Sequence, residues 1–146
     1  MMSQVETLIA SKLVSDAEQQ GIKLVISRSL LSRLLGCRIK KIEVWAYVVW
    51  VLPERGSPRF VSRNHIWNGF HEIRKKEAQV LSVHPPRHSS ELALVVNACN
   101  SFSFSILSEN GHPVCECIDF QRQREVLGVE HSACKHILAY YSSLRT

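Results

Sequence analysis

With 146 residues, 45% of them hydrophobic, the chain has enough apolar content for one compact domain or two very small ones. Its most apolar stretch, Val44–Leu52, is nine residues long and too short for a membrane helix, and the opening residues lack a basic leader and a small-residue cleavage pattern. The formal charge of +5 is concentrated: residues 21–90 carry thirteen basic against four acidic side chains, while 1–20 and 91–146 each lean acidic by two. The expected setting is intracellular (cytoplasm or nucleus), where close cysteines read as metal ligands more readily than as disulfides.

In chain order, Val5, Leu8, Ile9, Leu13 and Ala17 recur at helical spacing, with Ser3 as cap, Glu6 three positions on and Gly21 as stop. Ile22–Ile26 reads as a short strand, and Ser27–Gly36 as a short helix capped by Ser27 and ended by Gly36. Arg38–Leu52 is strand material with two apolar parities, one holding Ile42, Val44, Ala46, Val48 and Trp50, the other Trp45, Tyr47, Val49 and Val51. A strand apolar on both faces is central, or half of an interface. Pro53–Pro58 turns into a hairpin with RFVS.

A helix capped by Ser62 follows, its stripe formed by Ile66, Phe70, Ile73 and Val80 and widened by Trp67 and Leu81. The breaker segment His84–Ser90 is the expected boundary between a mixed basic region, 1–90, and a module at 91–146. In that module Leu92–Ala98 is a strand, and Phe102, Phe104 and Ile106 alternate with serines as a half-buried strand. Glu109-Asn110-Gly111 is a turn, and Val114–Ile118 returns. A last helix places Ile137, Leu138, Tyr141 and Leu144 on one side.

Chemistry concentrates in CECIDFQRQREVLGVEHSACKH. Cys115, Cys117, Cys134 and His136 form two close ligand pairs separated by 16 residues, read as a polar loop. Zn²⁺ takes such ligands in a tetrahedron, with Zn–S about 2.3 Å and Zn–N about 2.0–2.1 Å. Residues i and i+2 of a straight strand lie about 6.6–6.8 Å apart, so the chain must bend at Cys115–Cys117. Two residues apart in a helix, side chains diverge by about 200°, so Cys134 should precede the last helix and His136 fall in its first turn. Four protein ligands leave no open position for water, which makes the site structural. His112 and His131 are rival nitrogen donors, but His136 shares the tight C-K-H unit. Cys37 and Cys99 lie outside the cluster, and Cys99 is expected in the core.

On these residues the chain resembles the SWIM zinc-finger family, whose pattern is C-x-C, a variable gap, then C-x-H. The hairpin Phe102–Val114, Phe120 shortly after C-x-C, and the aliphatic CKHILAYY carry the likeness further, across roughly residues 92–141. The expected fold is α+β: a mixed basic N-terminal region that falls outside the resemblance, followed by the β-hairpin-plus-helix zinc finger that the resemblance implies. The resemblance also implies a bound Zn²⁺ and contact with DNA or protein partners.

The expected function is therefore a zinc-stabilised nucleic-acid-binding or adaptor protein in a nucleoprotein complex, with DNA favoured over RNA and a protein partner expected. Candidate phosphate contacts are Arg38, Lys40 and Lys41 before the apolar strand, Arg74, Lys75 and Lys76 on the second long helix, and Arg122 and Arg124 between the ligand pairs. Trp45, Trp50 and Trp67 fit apolar patterns better than base-stacking roles. The alternative is a protein-interaction subunit of a recombination, chromatin, transposition or RNA-guided assembly. A nuclease is the weakest reading: Glu43, Glu54, Glu72 and Glu77 are scattered, and neither a Walker lysine motif nor a nucleophile elbow is present. No enzyme activity, membrane association or small-molecule substrate is expected.

Overall fold

The computed structural model describes residues 15–145 apart from 98 and 100. The expected stripe of Val5, Leu8, Ile9 and Leu13 lies outside the described residues. The chain divides into two compact units, residues 1–71 and 72–146.

In the first unit, helix α1 (Asp16–Val25) begins where Ser15 Oγ accepts from Glu18 N at 3.1 Å. It continues through Gly21, so Gly21 is no terminator and Ile22–Ile26 is not a strand. Ile22, Val25 and Ile26 are buried at i, i+3 and i+4, and that shared helical face outweighs the strand propensity of a β-branched run. Helix α2 (Arg28–Leu35) starts and stops as expected: Ser27 Oγ accepts from Leu30 N, and Gly36 takes a left-handed φ of 71°.

The expected strand 38–52 is instead a hairpin, β1 (Ile39–Val44) and β2 (Val48–Pro53), followed by β3 (Arg59–Ser62) in an antiparallel β1-β2-β3 sheet. The turn at 45–47 closes through Trp45 N donating to Val48 O at 2.9 Å. The Arg63 guanidinium secures it by donating to Ala46 O at 2.7 Å and Trp45 O at 3.3 Å. This break resets the parity. Val44, Val49, Val51 and Val61 share the buried face, and Trp50 falls on the other.

Helix α3 (Arg63–Ala78) follows directly, with Ser62 Oγ accepting from His65 N. Ile66 and Phe70 are wholly buried with Leu31 in the core of the first unit. Gly69 lets the Leu34 side chain lie directly against the helix, and a Cβ there would force that side chain to shift. The helix ends earlier than its periodicity suggests. Val80 lies beyond it and is exposed, and Ser82–His84 is strand β4.

The second unit is an antiparallel sheet in the order β4-β5-β6-β7, with β5 at Glu91–Val96, β6 at Ser103–Glu109 and β7 at His112–Cys115. Both outer strands are short: β4 has three residues and β7 four. Asn110 and Gly111, with φ of 51° and 83°, make the tight β6–β7 turn that the sequence signals. The segment between the ligand pairs is not a loop. It forms helix α4 (Ile118–Leu127) and a 3₁₀ turn at Val129–His131. Helix α5 (Lys135–Ser143) lies across all four strands. Its buried positions are His136, Ile137 and Ala139, whereas Tyr141 and Leu144 of the expected stripe are exposed.

Candidate metal centre

Cys115 ends β7, opposite Ile106 on β6, so its side chain is fixed by strand register. The chain then bends as the ligand spacing requires. Cys117 has left the strand with φ −63° and ψ 154° and serves as N-cap of α4, its Sγ accepting from Phe120 N at 3.4 Å. Cys134 is the extended N-cap residue of α5, and His136 is the second residue of that helix. Two helix starts and a strand end thus deliver four side chains to one point. All four are buried, and their ligand atoms lie within 4.8 Å of one another. Among the described residues this is the one cluster of such donors.

His136 presents Nδ1, which lies 3.7 Å from both Cys115 Sγ and Cys134 Sγ. A regular tetrahedron around Zn²⁺ places bound S and N about 3.5 Å apart and two sulfurs about 3.8 Å apart. The donor set and spacing therefore fit a four-coordinate divalent metal. The other side of the imidazole is packed, its ring 4.5 Å from that of Phe104.

Among the protein groups alone, the sulfurs compete for charge. Hydrogen bonds from Cys115 and then Cys134 hold Cys117 well below the ordinary thiol range, against the cost of burial. The same bond to Cys117 is the main reason that Cys115 is pushed up to about 12, and Cys134 is raised chiefly through its bond to Cys115. Three adjacent buried thiolates need a cation, and a bound metal displaces their protons.

Helix α4 braces this arrangement. Phe120 is wholly buried in the surrounding core. Gln121 Nε2 donates to Cys115 O at 2.8 Å. The buried Gln123 clasps the residue before Cys134: its Nε2 donates to Ala133 O, and its Oε1 accepts from Ala133 N, both at 3.1 Å. Asp119 in the first turn receives Arg74 Nε at 2.9 Å and Nη2 at 2.8 Å, which ties α3 to α4. These supports escape a reading centred on ligands. The signal available was a run of helix formers after Cys117, an aspartate in its first turn and a glycine, Gly128, just past its end.

The candidate phosphate contacts fare unevenly. Arg74 is not a surface group: it is 8% exposed and engaged by Asp119. It continues the i+4 series Ile66, Phe70, Arg74, Ala78, all buried, so it shares a helix side with apolar residues. Arg124 is half-buried and pairs with Glu109 at 2.6 Å. Lys75, Lys76 and Arg122 are exposed in the second unit, and Arg38, Lys40 and Lys41 are exposed in the first. The rival histidines stay outside the cluster: His112 Nε2 lies 3.8 Å from Glu130, and His131 is exposed. Cys99 is exposed, contrary to its expected core position, and Cys37 is half-buried.

The cluster matches the C-x-C…C-x-H zinc-binding pattern, and the hairpin β6–β7 with the helices that follow matches the SWIM-type arrangement within a mixed α+β chain. Among the described residues no helix is long and apolar enough to cross a membrane. Comparison with protein-family models, with curated proteins and with solved structures finds no match.

Proposed function

We propose that the chain is a zinc-stabilised nucleic-acid-binding or adaptor protein that works inside the cell as part of a nucleoprotein complex. The convergence of three sulfurs and His136 Nδ1 in one buried cluster carries the metal half of this reading. Cys115, Cys117, Cys134 and His136 would hold Zn²⁺, which supplies a closed cross-link between β7, α4 and α5. A closed shell of protein donors favours a structural over a catalytic role. The nucleic-acid half is supported by the excess of basic side chains in residues 21–90 and by the exposure of Arg38, Lys40, Lys41, Lys75, Lys76 and Arg122. A protein-interaction subunit is the second reading, supported by exposed Ile118, Tyr141 and Leu144 in the second unit.

Elemental analysis of the reduced, purified protein should give one zinc per chain. Fluorescence anisotropy with labelled DNA and RNA should show affinity that falls with salt. Lys75→Ala with Lys76→Ala should lower the log–log salt slope by about 1.4–1.8, because each phosphate contact contributes about 0.7–0.9. An unchanged slope removes α3 from the contact surface. Absence of binding to either nucleic acid at low salt, with one co-purifying protein, favours the second reading.

A further inference from the structure

The three-stranded sheet of the first unit buries Val44, Val49, Val51 and Val61 on one face and leaves the other largely uncovered. On the latter, Glu43, Trp50 and Phe60 stand side by side in one cross-strand row, fixed by the pairings Glu43↔Trp50 and Trp50↔Phe60. Phe60 is 47% exposed and Trp50 is half-buried. Trp45 reaches over the same row from the β1–β2 turn. Its ring lies 4.7 Å from that of Phe60 in an edge-on arrangement, and its Nε1 donates to Glu43 Oε1 at 3.2 Å. Tyr47, in the same turn, is 71% exposed. Lys41 and its partner Leu52 form the next row on this face.

We infer that this aromatic face is a stacking platform for the bases of single-stranded nucleic acid. The inference rests on the nucleic-acid reading above and assigns it a site and a strand class. Bases in a duplex are stacked on one another and cannot lie against side-chain rings, whereas single strands expose their π-faces. Charge selects this occupant over an apolar protein segment. Residues 38–63 carry six basic side chains against two acidic, and Arg38, Lys40, Lys41 and Arg55 are exposed around the sheet. The carboxylate on the face, Glu43, accepts from the Trp45 indole and so orients that ring against Phe60.

The test uses the full, zinc-loaded chain. Tryptophan quenching and anisotropy are measured with a 15-nucleotide pyrimidine strand, as DNA and as RNA, and with a duplex of equal length. Each single strand should quench tryptophan and bind more tightly than the duplex. Phe60→Ala and Tyr47→Ala should each weaken single-strand binding by about 5- to 150-fold, the range for losing one stacked base. Phe60→Tyr should restore it, and far-ultraviolet circular dichroism should show both alanine variants folded. Salt-dependent binding that favours duplex and ignores these variants overturns the platform but leaves the nucleic-acid reading standing. A chain that binds no nucleic acid overturns both. If Phe60→Ala alters only self-association in sedimentation, the face belongs to a protein contact and the platform is refuted.

Discussion

Gln123→Ala isolates what helix α4 does for the metal centre without touching a ligand. Gln123 is 5% exposed, and its amide makes two hydrogen bonds to the peptide of Ala133, immediately before Cys134. At about 0.5–1.5 kcal/mol net per bond, removing both costs about 1–3 kcal/mol. Outer-shell partners of metal ligands typically contribute about 10- to 100-fold in affinity, which is about 1.4–2.8 kcal/mol and overlaps the bond-based figure. The full chain should therefore lose about 10- to 100-fold in zinc affinity, read by competition with a chromophoric chelator at fixed pH. Gln123→Glu is the diagnostic companion. A carboxylate still accepts from Ala133 N but cannot donate to Ala133 O, so its loss should be intermediate or greater, never absent. If Gln123→Ala holds zinc within threefold of the parent chain, the clasp plays no part in presenting Cys134.

Cys117→Ser should release zinc and unfold the second unit, because structural sites of this kind carry about 10–16 kcal/mol of apparent binding energy; full occupancy with unchanged circular dichroism would defeat the ligand assignment. Arg74→Ala and Asp119→Asn should show a coupling of about 1–3 kcal/mol in a double-mutant cycle by urea denaturation, and additive effects would mean that the bidentate pair contributes nothing. Glu91 is buried, and the Arg87 side chain, then its backbone N–H and Ser105, lower its pKa from 4.5 to about 2. A depressed carboxylate contributes stability above the unfolded value that is lost as pH falls, so the stability difference between the parent and Glu91→Gln should shrink from pH 4.5 towards 2. A pH-independent difference would detach Glu91 from acid sensitivity.

The ligand set was legible because metal chemistry constrains spacing: C-x-C demanded a bend, and C-x-H demanded a helix start between its two ligands. The structure has Cys117 and Cys134 at the N-caps of α4 and α5. Asn110-Gly111, Ser27, Gly36 and Ser62 were equally readable, since each acts through its nearest neighbours. What escaped depends on distant partners. The turn at 45–47 contains neither glycine nor proline and is held by Arg63, seventeen residues or more away. Ile22–Val25 is helical because its face, continued by the C-cap Ile26, is buried, which local propensity does not encode. Arg74 sits in a basic run that looks like surface, and only its i+4 relation to Ile66 and Phe70 reveals the buried side of α3. The polar appearance of 118–133 concealed a helix whose glutamines Gln121 and Gln123 both bond backbone, Gln123 from a buried position.

The short outer strands of the second sheet have a consequence for solubility. A rim of three residues at β4 and four at β7 offers another chain little to zip onto, and Pro113 removes one N–H from the β7 rim. The more templating strands, β5 and β6, are the inner pair. Because β7 ends in Cys115, the same ligand that anchors the cluster also pins down the sheet's last guard strand. Chelation would thus unmask β6, whose neighbour it loosens, and leave the protein more prone to fibrillar clumping.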